Sequence, residues 1–476
     1  RWTSRSGVAA RQRVIREWGR GRGAASRDRE SGFRALRWRT FRRRFPRTRF
    51  AMQEFQAVIL ADANDGDNLY PLTEQLPLPL LPIANRPLIS YQLQMLERAH
   101  GFTEVIVVVH EHNYSQLLAY AAEGYKGRLK LDLVVVPEGA GSADALRHIK
   151  GKLHRDFVLI SGDVISDVPF QQIADRHRVQ GAAVTALFKE QSPRDPQEKK
   201  RAKELDGADF VGLDDRKQRL LYLESGADCD GGLITVSQSL LAAHPHLQVH
   251  TRLTDAHVYI FAHWTISILE MKPHFVSVKF ELLPYLVRKQ FLSLANLSQM
   301  PPPPTPTPGV NPQLSAPTSP LRCCCYVVAH DAGYCTRVNS IPTYTQANLD
   351  LSRGGVAQLE KAAEPPETAK DGNFASRSFS SDCAKGVGVE VGARSTIKKS
   401  AVGPHCRIGA NVKISNCVLM DHVVVHDKVT MSNVVVCSDA EIGEGASLKD
   451  AQVGKAVSIE AGAELKGEAI VEDSQD

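Results

Sequence analysis

From Phe55 onward, short apolar runs alternate with segments that carry apolar residues at helical spacing. The runs FQAVILA, FTEVIVVV, LDLVVV and DFVLISGD are separated by the segments PLISYQLQMLERA, NYSQLLAYAAEG and SADALRHIKGKL. Strands that are apolar on both faces, with a helix between each pair, are typical of a parallel sheet covered by helices on both sides. The pattern therefore predicts an α/β domain with right-handed crossovers, whose ligands would bind at the carboxyl ends of the strands.

The second half of this region follows a mixed pattern. Residues 191–206 form a charged excursion, and FVGLDDRKQRLLYLES reads as a hairpin. DAHVYIF predicts a strand and AHWTISILEM a helix. After a gap, CCCYVVAHDAGYCTRVNSIPTYTQAN predicts strands followed by a helix.

The last hundred residues change period. One aliphatic residue recurs at intervals of six or five positions, from Val391 through Ile414 to Ile459, with glycines beside several of them. Ordinary hairpins would show an alternation of two, which does not persist here. One inward aliphatic per short strand predicts a left-handed parallel β-helix whose triangular coils stack on one another. We expect an uncovered apolar slice at its final coils, which carry Val453, Val457, Ile459 and Leu465.

Two stretches interrupt these patterns and set the expected domain boundaries. Residues 300–320 are rich in proline, which favours polyproline II or disorder, and residues 351–384 are polar. The expected segments, in chain order, are an Arg-rich leader at 1–51, the α/β domain at 52–299, a Pro-rich linker at 300–320, a connecting segment at 321–350, a polar linker at 351–384 and the β-helix at 385–470.

Charge is distributed unevenly along the chain. Residues 1–51 carry 17 arginines, no lysine and three acidic residues, whereas residues 52–476 carry 41 basic and 50 acidic residues. Three interpretations of the leader stay open: a translated upstream region, because Met52 is the first methionine; a targeting or disordered leader; or a basic arm for nucleic acid. We expect the first of these. The mildly acidic remainder argues against direct binding of nucleic acid.

Cysteine usage and hydropathy indicate the redox compartment of the protein and its relation to membranes. The nine cysteines form no CxxC pair, which favours free thiols in a reducing compartment. A zinc site built from Cys323, Cys324, Cys325 and Cys335 is the alternative, but neighbouring side chains on a strand point in opposite directions. No run of 18 apolar residues exists, so we expect no membrane span.

The stretch YPLTEQLPLPLLPIANRPLI, residues 70–89, carries the strongest motif. It matches the second half of GGxGTRLxPLTxxxPKPLLPI, the substrate loop of enzymes that join a sugar phosphate to a nucleoside triphosphate. That chemistry needs a glycine-rich turn around the phosphates, an arginine and a lysine that balance charge, and two aspartates for Mg²⁺. Residues 55–290 therefore resemble the nucleotidyltransferase superfamily. The expected fold is a Rossmann-like nucleotidyltransferase-type sheet with a C-terminal left-handed parallel β-helix.

The charged groups of that motif are mostly missing. The segment ADANDGDN keeps one glycine, Asn68 stands at the arginine position, and Leu78 replaces the lysine. Three acidic residues would each repel a phosphate by about 1 to 3 kcal/mol at roughly 5 Å: Asp62, Asp65 and Asp67. We expect no catalytic residue. The candidates for a vestigial nucleotide pocket are Ala61, Asp62, Asn68, Leu78 and Asp163.

Two aspartates follow strands at the expected metal positions. Asp163 of SGD occupies the first position, and Asp255 of TDAHVYIF lies near the second. Without a phosphate cradle they are weak metal candidates, and ordinary strand-end aspartates are the simpler interpretation. We therefore expect neither a bound metal nor a cofactor.

Four blocks together resemble the gamma-subunit family of eukaryotic translation initiation factor 2B, across about residues 54–470: ELLPYLVRKQF, LTDAHVYIF, CYVVAHDAGYCTRVNS and KISNCVLMDHVVV. The resemblance implies a cytosolic, non-catalytic scaffold subunit of the guanine-nucleotide exchange complex for initiation factor 2. It implies as partners the epsilon subunit, the other subunits of that complex and initiation factor 2. Exchange activity would reside in epsilon, whose C-terminal helical domain we expect this chain, ending at Asp476, to lack.

Two other functions share the expected fold. One is an active sugar-nucleotide pyrophosphorylase of the mannose-1-phosphate guanylyltransferase or ADP-glucose pyrophosphorylase type, and the other is a regulatory partner of such an enzyme. An intact glycine cradle and lysine would favour the enzyme, and both are missing. The block LPYLVRKQF favours the translation factor over either. Subunit stoichiometry and residual nucleotide affinity stay open at this level.

Overall fold

The computed structural model describes six stretches of the chain, residues 54–62, 68–191, 209–226, 234–291, 321–353 and 378–471. The leader, the Pro-rich linker and most of the polar linker lie outside these stretches, as do Asp65 and Asp67. Within them, no helix is long and apolar enough to cross a bilayer.

A seven-stranded sheet with helices on both faces forms the first domain. Its strands and those of the smaller sheets around it are β1 (Phe55–Leu60), β2 (Pro82–Ile83), β3 (Arg86–Pro87), β4 (Glu104–His110), β5 (Lys130–Val136), β6 (Asp156–Ser161), β7 (Val164–Ser166), β8 (Val184–Glu190), β9 (Phe210–Leu213), β10 (Leu220–Glu224), β11 (Gln248–His250), β12 (Leu253–Phe261), β13 (Cys323–Val328) and β14 (Cys335–Arg337). The helices are α1 (Leu88–Ala99), α2 (Tyr114–Ala119), α3 (Ser142–Ile149), α4 (Phe170–Gln180), α5 (Gln238–Ala243), α6 (Ile266–Met271), α7 (Leu283–Lys289) and α8 (Ile341–Ser352).

The strand order of the large sheet is β13-β8-β12-β6-β1-β4-β5. Parallel pairs join β1 to β4 and β6, β4 to β5, and β8 to β13, which confirms the predicted α/β sheet. β12 is antiparallel to both neighbours, β6 and β8. The chain between β8 and β12 contains the strands of the β10-β9-β11 sheet. It then returns to the end of β8, so that Leu253 pairs with Glu190 and β12 runs back along β8.

Apolar side chains cover both faces of this sheet. On one face Val58 and Leu159 pack with residues of α3, α6 and α7, such as Leu146. On the other face Ile59 and Ile160 pack with residues of α1 and α4. This double burial explains why the strands are apolar at successive positions.

A parallel β-helix forms the second domain. Its strands are β15 (Ala384–Lys385), β16 (Glu390–Val391), β17 (Thr396–Lys398), β18 (Ala401–Val402), β19 (Arg407–Ile408), β20 (Lys413–Ser415), β21 (Val418–Leu419), β22 (Val424–Val425), β23 (Thr430–Ser432), β24 (Val435–Val436), β25 (Glu441–Ile442), β26 (Ser447–Lys449), β27 (Gln452–Val453), β28 (Ser458–Ile459), β29 (Glu464–Lys466) and β30 (Ala469–Ile470). They form three parallel sheets, one per side of the coil.

The pairing register explains the six-and-five beat of the sequence. Ile397 pairs with Ile414, Ile414 with Met431, and Met431 with Leu448. The sequence separation between these partners is constant, so each of these coils contains the same number of residues. The inward side chains of the three sheets form one apolar cluster inside the coil. The predicted β-helix is therefore confirmed, with one aliphatic residue per strand pointing inward.

Candidate functional site

A small cleft opens beside the carboxyl ends of β1 and β6. Its lining includes Leu60 and Ser161 from those ends, Ser142 from the start of α3, and His257, Tyr259 and Lys279 from β12 and the turn before α7. This is where the strand pattern predicts a ligand site. Sequence reasoning did not single out His257 or Lys279.

Gly162 allows the chain to turn at the rim of this cleft. Its backbone N–H donates to the carbonyl of Leu60 at 2.7 Å. A Cβ atom here would lie 2.3 Å from the carbonyl oxygen of Ala61, which no side chain could tolerate. The close approach fixes the position of the next residue, Asp163.

Asp163 is fully buried and is bound by a cation from the same chain. Arg337 donates from Nε at 2.9 Å and from Nη2 at 2.7 Å, both to the Asp163 Oδ2 atom. Asp163 Oδ1 is buried and has no hydrogen-bond partner among the described residues. Arg337 stands at the end of β14, which pairs with β7 directly after Asp163, so strand pairing delivers the guanidinium to the carboxylate.

Asp255 belongs to the same network. Arg337 Nη1 donates to His257 Nε2 at 2.9 Å, the His257 backbone N–H donates to Asp255 Oδ1 at 2.8 Å, and the Tyr259 hydroxyl donates to Asp255 Oδ2 at 2.6 Å. Burial, reinforced by Arg337 and Lys279, holds the pKa of His257 well below its usual value, so the ring is neutral and can accept from Arg337. Burial raises the pKa of Asp255, while Lys279 and the two hydrogen bonds act against that rise.

This arrangement does not fit a Mg²⁺ ion. Mg²⁺ requires a near-octahedral shell of oxygen ligands. Asp163 Oδ2 is bonded to a guanidinium, and both Asp255 oxygens accept protein hydrogen bonds. The structure places Asp163 and Asp255, the two predicted metal positions, in one hydrogen-bonded network. The positive charge beside Asp163 in that network comes from Arg337.

The cysteines considered for a zinc site also do not fit a metal ion. Cys323, Cys324 and Cys325 are consecutive and buried on β13, and Cys335 lies on β14. Burial raises the pKa of Cys324 to about 11, which favours the thiol over the thiolate that binds metal. In the stretches that the structure describes, no group of three or more His, Cys, Asp or Glu side chains could hold a metal ion.

Three further pocket candidates, Ala61, Asp62 and Asn68, come from the end of β1 and the loop that follows it. Ala61 is fully buried, and Asn68 is exposed. Asp62 accepts a hydrogen bond from the backbone N–H of His110 at 2.8 Å, across the neighbouring strand β4. Burial raises the pKa of Asp62, against the lowering effect of that hydrogen bond and of the imidazole of His110.

Leu78 lies in an apolar cluster that joins the two domains. It is 6% exposed and starts the single-turn helix Leu78–Leu80. The cluster combines residues of the 70–89 loop, α1, α8 and the outer face of the β18-β21-β24 sheet: Leu69, Leu72, Leu81, Ile83, Tyr91, Tyr344, Ala347, Ala401, Val418 and Val435. A lysine at position 78 would place its charge in this core.

Polar contacts tie the same loop to α8 and the β-helix. The side chain of Asn348, which is buried, accepts from the Ala84 backbone N–H at 2.8 Å. The Tyr344 hydroxyl donates to the carbonyl of Pro82 at 2.9 Å, and Asn85 Nδ2 donates to the carbonyl of Val402 at 2.9 Å. No pattern singled out in the sequence predicts the contact of this loop with the β-helix.

Comparisons with protein-family models match both domains. Residues 56–198 match the model described as nucleotidyl transferase. Residues 375–473 match the model described as the LbH domain of the EIF2B subunit epsilon. The two matches agree with the α/β sheet and the left-handed β-helix of the structure.

Individual proteins extend the similarity across both domains. The chain is 30% identical to translation initiation factor eIF2B subunit gamma of Dictyostelium discoideum over 394 residues, which cover 75% of this chain and 88% of that protein. It is 32% identical to the subunit of the same name of Schizosaccharomyces pombe, over 63% of this chain and 66% of that protein. A mannose-1-phosphate guanyltransferase of Candida albicans is 34% identical over only 26% of this chain and 34% of the enzyme. The chain belongs to the family of translation initiation factor eIF2B gamma subunits.

Proposed function

We propose that this chain is a non-catalytic scaffold subunit of the guanine-nucleotide exchange complex for translation initiation factor 2. In this role it pairs with the epsilon subunit in the cytosol, and exchange is catalysed by epsilon. Membership of the eIF2B gamma family supports the assignment to the complex. The observation that carries the scaffold role is the burial of Leu78 in the core between the α/β domain and the β-helix.

The local chemistry supports a loss of transferase activity. A nucleotidyltransferase needs positive charge and a metal around the transferred phosphate. Here Leu78 replaces the lysine, Asn68 replaces the arginine, and the carboxylate of Asp163 is neutralised by Arg337. Removing a single such stabilising charge typically lowers a rate on the order of a hundredfold or more.

An assay for pyrophosphate release tests the transferase half of the proposal. The purified chain is incubated with Mg²⁺, each nucleoside triphosphate and mannose-1-phosphate or glucose-1-phosphate. The mannose-1-phosphate guanyltransferase of Candida albicans serves as the positive control. We expect release at the background rate, and turnover above background would overturn the non-catalytic role.

The second candidate is a regulatory partner of a sugar-nucleotide enzyme, favoured by the match to the guanyltransferase over 26% of this chain. Co-purification separates the two roles. The tagged chain is mixed with equal amounts of a purified epsilon subunit and of the guanyltransferase. Retention of epsilon alone supports the exchange complex, whereas retention of the guanyltransferase alone supports the regulatory partner.

A further inference from the structure

One side of the β-helix presents lysine and hydroxyl side chains and no apolar ones. It is the sheet β17-β20-β23-β26-β29, in which the middle residue of each strand faces the interior and the two flanking residues face outward. Of these ten flanking residues, two in each of five strands, five are serine or threonine and one is Glu464. The other four are Lys398, Lys413, Lys449 and Lys466. We call the ten residues the lysine face.

The pairing register places these side chains on one continuous surface. Thr396 of β17 pairs with Lys413 of β20, and all four lysines are exposed. Lys398 pairs with Ser415 in the same two strands. This in-register pairing continues to β29 without a bulge. Because neighbouring strands lie about 4.8 Å apart, the five strands form a straight strip about 19 Å long.

The lysines of this face are not compensated within the described part of the chain. None of them forms an ion pair with a carboxylate there, whereas on the side that contains β16 and β19 the Arg407 Nε atom lies 3.5 Å from Glu390 Oε2. The side that contains β18, β21 and β24 is covered by the first domain. Residues 391–420, which include β17 and β20, contain five basic residues and no acidic residue. The acidic balance of residues 52–476 as a whole therefore does not describe this surface.

We propose that the lysine face binds the sugar-phosphate backbone of double-stranded RNA. Lysine, serine and threonine are side chains that proteins use to contact phosphate and sugar oxygens. Protein interfaces are instead depleted of lysine and serine, and depend on aromatic and arginine anchors. Single strands are bound by stacking their bases on aromatic rings, which this face lacks. A straight strip also fits the wide, shallow minor groove of A-form RNA, lined by 2′-hydroxyls, better than the narrower minor groove of B-DNA. The inference goes beyond the proposed function and does not depend on it.

The acidic segments of the chain itself do not match this face. Residues 354–377 carry four acidic and three basic residues, so they have almost no net charge to offer. Residues 472–476 carry three acidic residues, but they follow β30 in the last coil. Lys398 lies four strands away from β29, at about 19 Å, and five extended residues span only about 17 Å. Neither segment can therefore neutralise the whole strip.

Photo-crosslinking of the full chain locates the RNA directly, which separates the lysine face from the Arg-rich leader. A duplex RNA that carries 4-thiouridine is irradiated with wild type and two variants, and crosslinked peptides are identified by mass spectrometry. The face variant is Lys398→Gln/Lys413→Gln/Lys449→Gln, and the matched control is Lys126→Gln/Lys217→Gln/Lys455→Gln, which changes three exposed lysines elsewhere. We expect crosslinks within residues 396–466 for wild type and control, and a yield lower by about tenfold or more for the face variant, which loses three phosphate contacts. Unchanged thermal unfolding verifies that each variant is folded.

Several outcomes would overturn the proposal. If no peptide of the face crosslinks in wild type, or if both variants lose yield equally, the face does not bind RNA. Equal crosslinking of a DNA duplex of the same sequence would remove the assignment to RNA. Equal displacement of the RNA by polyglutamate of the same total charge would assign the face to an acidic protein segment. Retention of the epsilon subunit by the same variants is measured in parallel, so a failure of the proposed function is seen separately. Loss of epsilon in place of RNA would make the face a subunit contact.

Discussion

Arg337 supplies the positive charge beside Asp163 from within the chain. Its guanidinium makes two hydrogen bonds to one carboxylate oxygen and a third to His257, so it also orients the neutral imidazole. Both bonds to Asp163 converge on Oδ2, and hydrogen bonds between two ionised groups are stronger than bonds between neutral groups. An internal cation of this kind explains how a fully buried aspartate is kept without a metal-binding arrangement.

Removal of Arg337 should be costly. Arg337→Ala leaves the buried carboxylate of Asp163 uncompensated, and we expect the free energy of unfolding to fall by about 3 to 5 kcal/mol in urea titration. The control is Arg407→Ala, which removes an exposed pair with Glu390 and should cost about 0 to 1 kcal/mol. Equal losses in the two variants would contradict this account of Arg337.

His177 should make stability depend on pH. Burial lowers its pKa from 6.5 to about 4, with a further contribution from Arg178. The unfolded chain therefore binds a proton that the folded chain excludes, and stability present above pH 6.5 is lost as the pH falls toward 4. Between about pH 7.5 and about pH 5 we expect this residue to account for about 2 kcal/mol of the loss.

Urea unfolding of wild type and His177→Asn at these two pH values tests the pH dependence assigned to His177. That variant should lose less stability on acidification than wild type does. His148→Asn changes an exposed histidine on α3 and should keep the wild-type dependence. The same pH dependence in all three proteins would show that His177 titrates normally.

At the scale of elements, the 70–89 loop acts as a structural connector. Its hairpin β2–β3 turns through Ala84 and Asn85, both with positive φ, as in a two-residue hairpin turn that favours asparagine. The Asn348 side chain of α8 accepts a hydrogen bond from the backbone N–H of Ala84. The Asn85 side chain donates to the carbonyl of Val402 on the β-helix. The loop that positions substrate phosphates in a transferase here joins three elements.

Restoring the lysine of the motif should therefore damage the fold. Leu78→Lys places an ammonium group in the shared core, and we expect a loss of about 3 kcal/mol or more in unfolding free energy. Calorimetry should also show the single transition separating into two, because the domains share this core. Leu118→Lys, at a position 45% exposed on α2, is the matched control and should change little. A stable Leu78→Lys variant with one transition would contradict the connector role.

The elements differ in how far the sequence predicts them. Each coil of the β-helix buries one aliphatic per strand, so the six-and-five spacing reveals both fold and register. The reversal of β12 is invisible to this reasoning, because an apolar run fits a central strand in either direction. The Arg337–Asp163 pair joins residues 174 positions apart, and no local pattern encodes it. One signal was available: Val418, Leu419 and Met420 are consecutive apolar residues, so at least one must point out of the coil toward a partner element.

At the scale of the molecule, the α/β domain and the β-helix meet through a continuous apolar core. Val418 and Val435 on the outer face of the β-helix and Tyr344 of α8 belong to the same cluster as Leu78. The chain can thus present surfaces of both domains in a fixed relation, which suits a scaffold subunit.

The most direct test of the scaffold role is the rate of GDP release from initiation factor 2. The rate is measured with this chain alone, with a purified epsilon subunit alone, and with the two together at equal concentration. We predict the spontaneous rate for this chain alone, and a faster rate for the pair than for epsilon alone. Acceleration by this chain alone, or a pair no faster than epsilon, would contradict a non-catalytic subunit that acts through epsilon.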